Sequence, residues 1–253
     1  MRVPDSTQRV LLGSLFIAGL FVLWVVVTAL GLQPPILLPS PWGVVAAFRE
    51  IFSSPQIWAD FAASGQELLY GFVLAAAIGI PLGLAIGWYT RLGYLLDPSI
   101  NLLYAIPRIA LGPLLIVWLG IGLGSKIALV FLMAVFPVVL NTSSGMRSLD
   151  SNLVRVARCF GAGDLKIFRT IALPGTVPFI LGGLRLAVGQ ALIGVFVAEL
   201  LGAQNGIGML IENAGEQFQT AKVFAGLIIF AAAGVILTAA VRSVERHFDA
   251  WRA

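Results

Sequence analysis

Four stretches of this sequence, 10–32, 68–90, 127–146 and 223–241, contain no charged residue. A helix crossing a bilayer core needs about 20 predominantly apolar residues, and it must satisfy its backbone hydrogen bonds internally. Two further stretches are nearly as apolar. Tyr94–Leu119 carries Asp97 and Arg108 and holds Pro98, Pro107 and Pro113, near which bends are expected. Val177–Leu200 is interrupted only by Arg185 and, at its end, by Glu199. The chain therefore reads as an all-α polytopic membrane protein with six transmembrane helices. A large soluble core is excluded by composition. Of 253 residues, 59% are hydrophobic and 11% charged, whereas a soluble domain is about a quarter charged.

The first span, from Val10 to about Leu32, follows Arg2 and Arg9. It exceeds a signal-peptide apolar region of roughly 7–15 residues and has no small-x-small cleavage site after it, so an uncleaved helix is expected. Gln33–Pro41 holds four prolines and is no helix interior. Ser40-Pro41 is suited to cap and start a short helix, with Val44, Val45, Phe48, Ile51 and Phe52 on one face, lying along the outer membrane interface. The second span, Leu68–Thr90, has Gly79, Gly83 and Gly87 at four-residue spacing, a face that admits another helix closely. Gly120–Gly124 reads as an outer turn, and the outer stretch up to Thr220 holds Gly206-Ile-Gly208 and a short helix through Glu216. On this path eleven basic residues fall on the cytoplasmic side: Arg2, Arg9, Arg91, Arg147, Arg155, Arg158, Lys166, Arg169, Arg242, Arg246 and Arg252. Three, Arg49, Lys126 and Lys222, fall outside. That asymmetry follows the positive-inside rule and places both termini in the cytoplasm. We divide the chain into 1–63, an N-terminal span with its interfacial helix, and 64–253, a core of five spans.

Between the fourth and fifth spans lies the longest charged, amphipathic segment, Leu153–Pro174. Leu153, Val154, Ala157 and Phe160 form one helical stripe, with Arg155 and Arg158 off it. Gly161-Ala162-Gly163 permits a sharp turn. Asp164 is suited to N-cap a second short helix carrying Leu165, Ile167 and Phe168, which Pro174 would end while opening the next helix. Two short helices around a glycine turn, set between apolar spans, have the form of a docking element for a soluble partner.

This segment resembles the cytoplasmic loop of ABC importer permeases, whose pattern is E-A-A, three residues, G, nine residues, I-x-L-P. Ala157, Gly161, Ile171, Leu173 and Pro174 stand at that spacing, while Arg155 occupies the glutamate position and Val156 the first alanine position. LLPSPWGVVAAF at 37–48, IPRIALGPLLIVWLGIG at 106–122 and GLRLAVG at 183–189 are similar to the nitrate/sulfonate/taurine branch, which also includes bicarbonate transporters. The resemblance covers about Leu38 to Phe248. It implies the type I importer permease fold, with a second copy of the permease, two cytoplasmic ATP-binding subunits, and an external or periplasmic substrate-binding protein as partners. ATP and magnesium would bind on the ATPase, with no cofactor on this chain. It also implies residence in a bacterial inner membrane and a small solute cargo, such as nitrate, bicarbonate, a sulfonate or an organic acid. Arg155, Ala157, Arg158, Phe160, Gly161, Ala162, Gly163, Asp164, Leu165 and Pro174 would form the ATPase-coupling loop.

The remaining chemistry is sparse. One histidine, His247, and one cysteine, Cys159, form no metal-ligand cluster. GLGSK at 122–126 lacks the GK[ST] order of a phosphate loop and follows no soluble strand. The basic residues punctuate apolar spans rather than cluster for nucleic acid. The chain is therefore expected to be no enzyme, and an ATP-independent secondary transporter or channel is the alternative that the docking loop argues against. An ionisable group at mid-span costs roughly 2.5–3.5 kcal/mol on insertion scales. Arg108 and Arg185 thus require partners or a water-filled path. With Tyr104, Gln190 and Glu199 they are the candidates for lining a translocation pathway, each weighed against a role in helix packing or ion pairing.

Overall fold

The computed structural model describes residues 5–202 and 204–248. Arg2 and Arg252 lie outside these residues, as do the side chains of Arg9 and His247. Five described helices are long and apolar enough to cross a membrane: Leu11–Ala29, Gln56–Trp88, Leu123–Arg147, Asp164–Leu200 and Thr220–Arg246. The sixth candidate is a pair, Thr90–Ala105 and Arg108–Leu119, bent by 85°.

Two compact units emerge. The first comprises residues up to Trp58 together with Leu210–Ile229. Here helix α1 (Asp5–Ala29) exposes Leu15, Phe16 and Leu20, as suits a helix surrounded by lipid. Trp24 donates its indole N–H to the Pro39 carbonyl at 2.9 Å and stacks on Phe224. Helix α2 (Pro41–Ser53) starts as its sequence predicts, with Ser40 accepting from the Gly43 N–H at 3.1 Å. Its buried face differs from the expected one. Pro41, Val44, Ala47 and Ile51 are buried, whereas Val45 and Phe52 are exposed. The small Ala47 marks the side on which the chain packs, and a reading guided by large side chains passes over it.

The second unit comprises Ala59–Met209 with the chain from Phe230 onward. Helix α3 (Gln56–Trp88) begins well before Leu68 and so carries Asp60, Ser64 and Glu67. Helix α4 (Thr90–Ala105) runs unbroken through Pro98, and the break falls at Ile106-Pro107. A 3₁₀ turn (Arg108–Leu111) then leads into α5 (Gly112–Leu119), where Pro113 sits in the first turn and causes no bend. Helix α6 (Leu123–Arg147) starts inside the glycine stretch expected to be all turn. After α7 (Ser151–Cys159) and α8 (Asp164–Ile167), a π-helical segment (Phe168–Ala172) leads without interruption into α9 (Leu173–Leu200). Pro174 therefore stands in the first turn of α9 but does not end the helix before it, since the helical path runs on into it through the wider π turn, where the Leu173 N–H donates to the Phe168 carbonyl. Helix α10 (Ile207–Glu216) and α11 (Thr220–Phe248) complete the order.

The core of this unit is α6 against α9, with Val130, Ala134 and Val138 fully buried on one and Ala187 and Ala191 on the other. The glycine stripe of α3 meets α6 of the same chain. Gly79, Gly83 and Gly87 face Val138, Thr142 and Met146 in step. A Cβ on Gly83 would stand 2.6 Å from Thr142 Cβ and 2.8 Å from the Val139 carbonyl oxygen. Such backbone-close packing supplies the contacts that hold helices together where lipid removes the hydrophobic drive.

Candidate functional site

The loop from Asp150 to Pro174 is assembled from local rules. Asp150 caps α7, its carboxylate accepting from the Asn152 N–H at 2.7 Å. The far end of α7 closes in a Schellman arrangement. Ala162 N–H donates to the Ala157 carbonyl at 3.0 Å and Gly161 N–H to that of Arg158 at 2.9 Å, with Gly161 at φ +78°. Glycine is favoured there because a side chain is strained in the left-handed region. The N-cap of α8 is Gly163, not Asp164. Gly163 is extended, Asp164 is the first helical residue, and the Asp164 carboxylate instead receives Arg158 at 3.1 Å. Arg155 turns back to Asn152 on its own helix.

No residue of α7 is buried. Leu153, Val156, Phe160 and Leu165 are exposed, Phe160 by 88%. The loop is anchored beyond that face. Ile167 and Ala172 are fully buried, and Phe168 meets Trp88 of α3 edge-on at 5.3 Å between ring centroids. It thus presents an unpaired apolar face flanked by Arg155, Lys166 and Arg169, on a helical path continuous with a membrane span.

The polar groups within the spans divide into three settings. Arg185 of α9 is paired with Glu245 of α11. Gln190 is half-buried on α9. Glu199 is fully buried and accepts from the Ser64 hydroxyl and from the Gly208 N–H, each at 2.5 Å. Around it Ser64 accepts from Ile207 N–H at 3.0 Å, Asp60 from Gly206 N–H at 2.9 Å, and Glu67 pairs with Lys126 at 2.6 Å. This buried network ties the 206–208 segment to α3 and α9. Its α3 members, Asp60, Ser64 and Glu67, recur at i, i+4 and i+7, the spacing of one helical face. That signal is present in the sequence, but a span read from the uncharged run alone begins at Leu68 and excludes it. Among the described residues no three His, Cys, Asp or Glu are placed to hold a metal ion.

Arg108 stands apart. It follows the break after α4, and its guanidinium carbon lies 4.9 Å from the ring centre of Tyr104 and 5.6 Å from that of Phe136. Nη1 donates to the Met133 carbonyl at 3.2 Å. Cation–π contacts of this kind contribute roughly 0.5–2 kcal/mol.

Residues 79–250 match the family described as binding-protein-dependent transport system inner membrane component. A putative aliphatic sulfonates transport permease of Bacillus subtilis is 38% identical, over 95% of this chain and 87% of its own length. The taurine transport system permease of Escherichia coli is 33% identical over 99% and 92%. A formylaminopyrimidine transport permease of Halalkalibacterium halodurans is 32% identical over 94% and 95%. An inward-facing structure of the MetNI methionine ABC transporter superposes with a TM-score of 0.56 at 20% identity, over 74% of this chain and 98% of that one.

Proposed function

This chain belongs to the binding-protein-dependent transport system inner membrane components, the permeases of ABC importers, and from that premise we propose that its 150–174 loop seats a separate ATP-hydrolysing subunit. The observation that carries this reading is the wholly unburied α7, with Leu153, Val156 and Phe160 exposed beside basic side chains. The coupling residues are Arg155, Ala157, Arg158, Phe160, Gly161, Ala162, Gly163, Asp164, Leu165 and Pro174. ATP and magnesium bind on the partner, and this chain is the multi-pass membrane permease, not the enzyme. Two such ATPases, a second copy of the permease and an external binding protein complete the assembly, with both termini of this chain cytoplasmic and residues 64–253 as the working core.

The loop transmits motion because α8, the π segment and α9 form one helical path from Asp164 to Leu200. A displacement of α8 on the ATPase is delivered to α9 rather than absorbed at a hinge. Nucleotide and loaded binding protein shift the permease between inward- and outward-open states only by binding those states unequally. The cargo we assign is a small anion, the charge class of the aliphatic sulfonates for which the Bacillus subtilis permease is named. Arg108 and Tyr104 are the leading pathway residues, ahead of Gln190, while the pairing of Arg185 and the burial of Glu199 favour structural roles for those two.

The reading is tested by reconstituting the permease with its ATPase and binding protein in liposomes. ATP-dependent accumulation of a sulfonate, abolished when the ATPase is omitted, is the expected result. Accumulation that persists without the ATPase would instead establish a secondary transporter.

A further inference from the structure

We propose that Arg108, flanked by Tyr104 and Phe136, is a binding subsite for the oxyanion head of a small organic cargo with an apolar tail. The inference rests on the importer reading above and adds to it a residue and a substrate class.

Depth comes first. The Arg108 guanidinium bonds to the Met133 carbonyl, and Met133 lies ten residues beyond Leu123 at the start of α6. At 1.5 Å per residue that is about 15 Å along the helix axis, well inside the hydrocarbon zone. A cation there must be compensated. Three other basic side chains of this unit are held by carboxylates: Arg147 with Asp97, Arg185 with Glu245, and Lys126 with Glu67. Arg108 has no carboxylate partner among the described residues. It has two ring faces and one backbone carbonyl, and its remaining N–H donors have no acceptor among those residues.

Direction comes second. Met133 and Phe136 are buried and close one side of the guanidinium. Tyr104, Ile106 and Ile109 are exposed by 44%, 37% and 49%, and they stand on either side of Arg108 in the chain. The chain on both sides of Arg108 thus exposes a phenol and two aliphatic side chains. A planar guanidinium with spare donors recognises a sulfonate or carboxylate through paired hydrogen bonds. These exposed aromatic and aliphatic neighbours suit a short hydrocarbon tail better than a bare inorganic ion. The break at Ile106-Pro107 makes the arrangement possible. It turns the chain by 85° and carries Arg108 out of the register it would have on a straight helix.

The test uses the complete complex in liposomes, with the binding protein supplied, and measures ATP-dependent uptake of ethanesulfonate, benzoate and nitrate, with an uncharged pyrimidine as contrast. The wild type should import ethanesulfonate or benzoate in preference to nitrate and the pyrimidine. Arg108→Gln, still co-purifying with the ATPase, should import the preferred anion at least tenfold more slowly. Arg108→Lys should recover part of the rate with a raised apparent KM, since it keeps the charge and loses the fork. Equal uptake by wild type and Arg108→Gln would overturn the subsite and leave the importer intact. Preference for nitrate or for the uncharged pyrimidine would overturn the substrate class. Failure of both variants to assemble would show Arg108 to be structural and overturn the proposal. ATP-independent uptake, or none, would instead sink the importer reading itself.

Discussion

Glu199 illustrates how much of this fold hangs on one carboxylate. It is fully buried, and its two oxygens receive the Ser64 hydroxyl and the Gly208 N–H. There is no room for an alternative filling, since a Cβ on Gly208 would stand 2.7 Å from Glu199 Oε2. Glu199→Ala leaves both donors without an acceptor, and each buried orphan costs about 1–3 kcal/mol. We expect that substitution to lower the thermal unfolding midpoint of the detergent-purified permease clearly. Glu199→Gln, which keeps a carbonyl oxygen for one donor, should lower it less. An alanine variant as stable as the parent would mean that the 206–208 segment is held by other contacts. Arg108 is the counterpart at this scale: the fold supplies a carboxylate to Arg147, Arg185 and Lys126, and among the described residues it leaves Arg108 to aromatic rings and a carbonyl.

Among the elements, α7 and its closing turn are those we propose to carry the coupling. Gly161 sits at φ +78° with open space around its Cα, so a side chain there meets backbone strain and no clash. Left-handed backbone costs an L-residue with a Cβ roughly 1–2 kcal/mol. Gly161→Val should therefore reopen the Schellman turn while the spans still insert. Co-purification with the ATPase should weaken, or ATP hydrolysis should stop responding to the loaded binding protein, and substrate uptake should fall at least tenfold. Normal transport by this variant would remove the loop from the mechanism. Arg155→Glu probes the partner. Among the described residues Arg155 is engaged only with Asn152 on its own helix, so it is available to meet an acidic groove on the ATPase. Charge reversal should then weaken assembly, with the effect shrinking as ionic strength rises. Unchanged assembly at low salt would place Arg155 outside the interface.

For the whole molecule, the distribution of basic residues makes a claim about orientation. In a Cys159→Ser background, a single cysteine at Ser54 should react with a membrane-impermeant thiol reagent added outside, and one at Ser243 should react only after the membrane is opened. Both positions are exposed, so labelling reports the side of the membrane rather than burial. The reverse pattern would invert the topology and place α7 where no cytoplasmic ATPase could reach it.

The helical class, the order of the spans, the Ser40 cap and the glycine turn of the docking loop are legible along the chain. These follow from short-range physics: the desolvation cost of a charge in lipid, the rise of a helix, and the conformational freedom of glycine act within a few residues. Apolar runs place the start of α3 too late, because helices continue past the end of such a run, and a proline rule ends a helix at Pro174 that in fact continues through a π segment just before it. The network of Glu199 with Ser64, 135 residues away in the chain, was decided by the tertiary structure alone, as were the pairs of Glu67 with Lys126 and Arg185 with Glu245, about 60 residues apart. Whether a charge inside a span finds a counter-charge depends on which helices become neighbours and in what rotation. That information belongs to packing, here set by glycines that let α3 lie against α6, and no single stretch of the chain contains it.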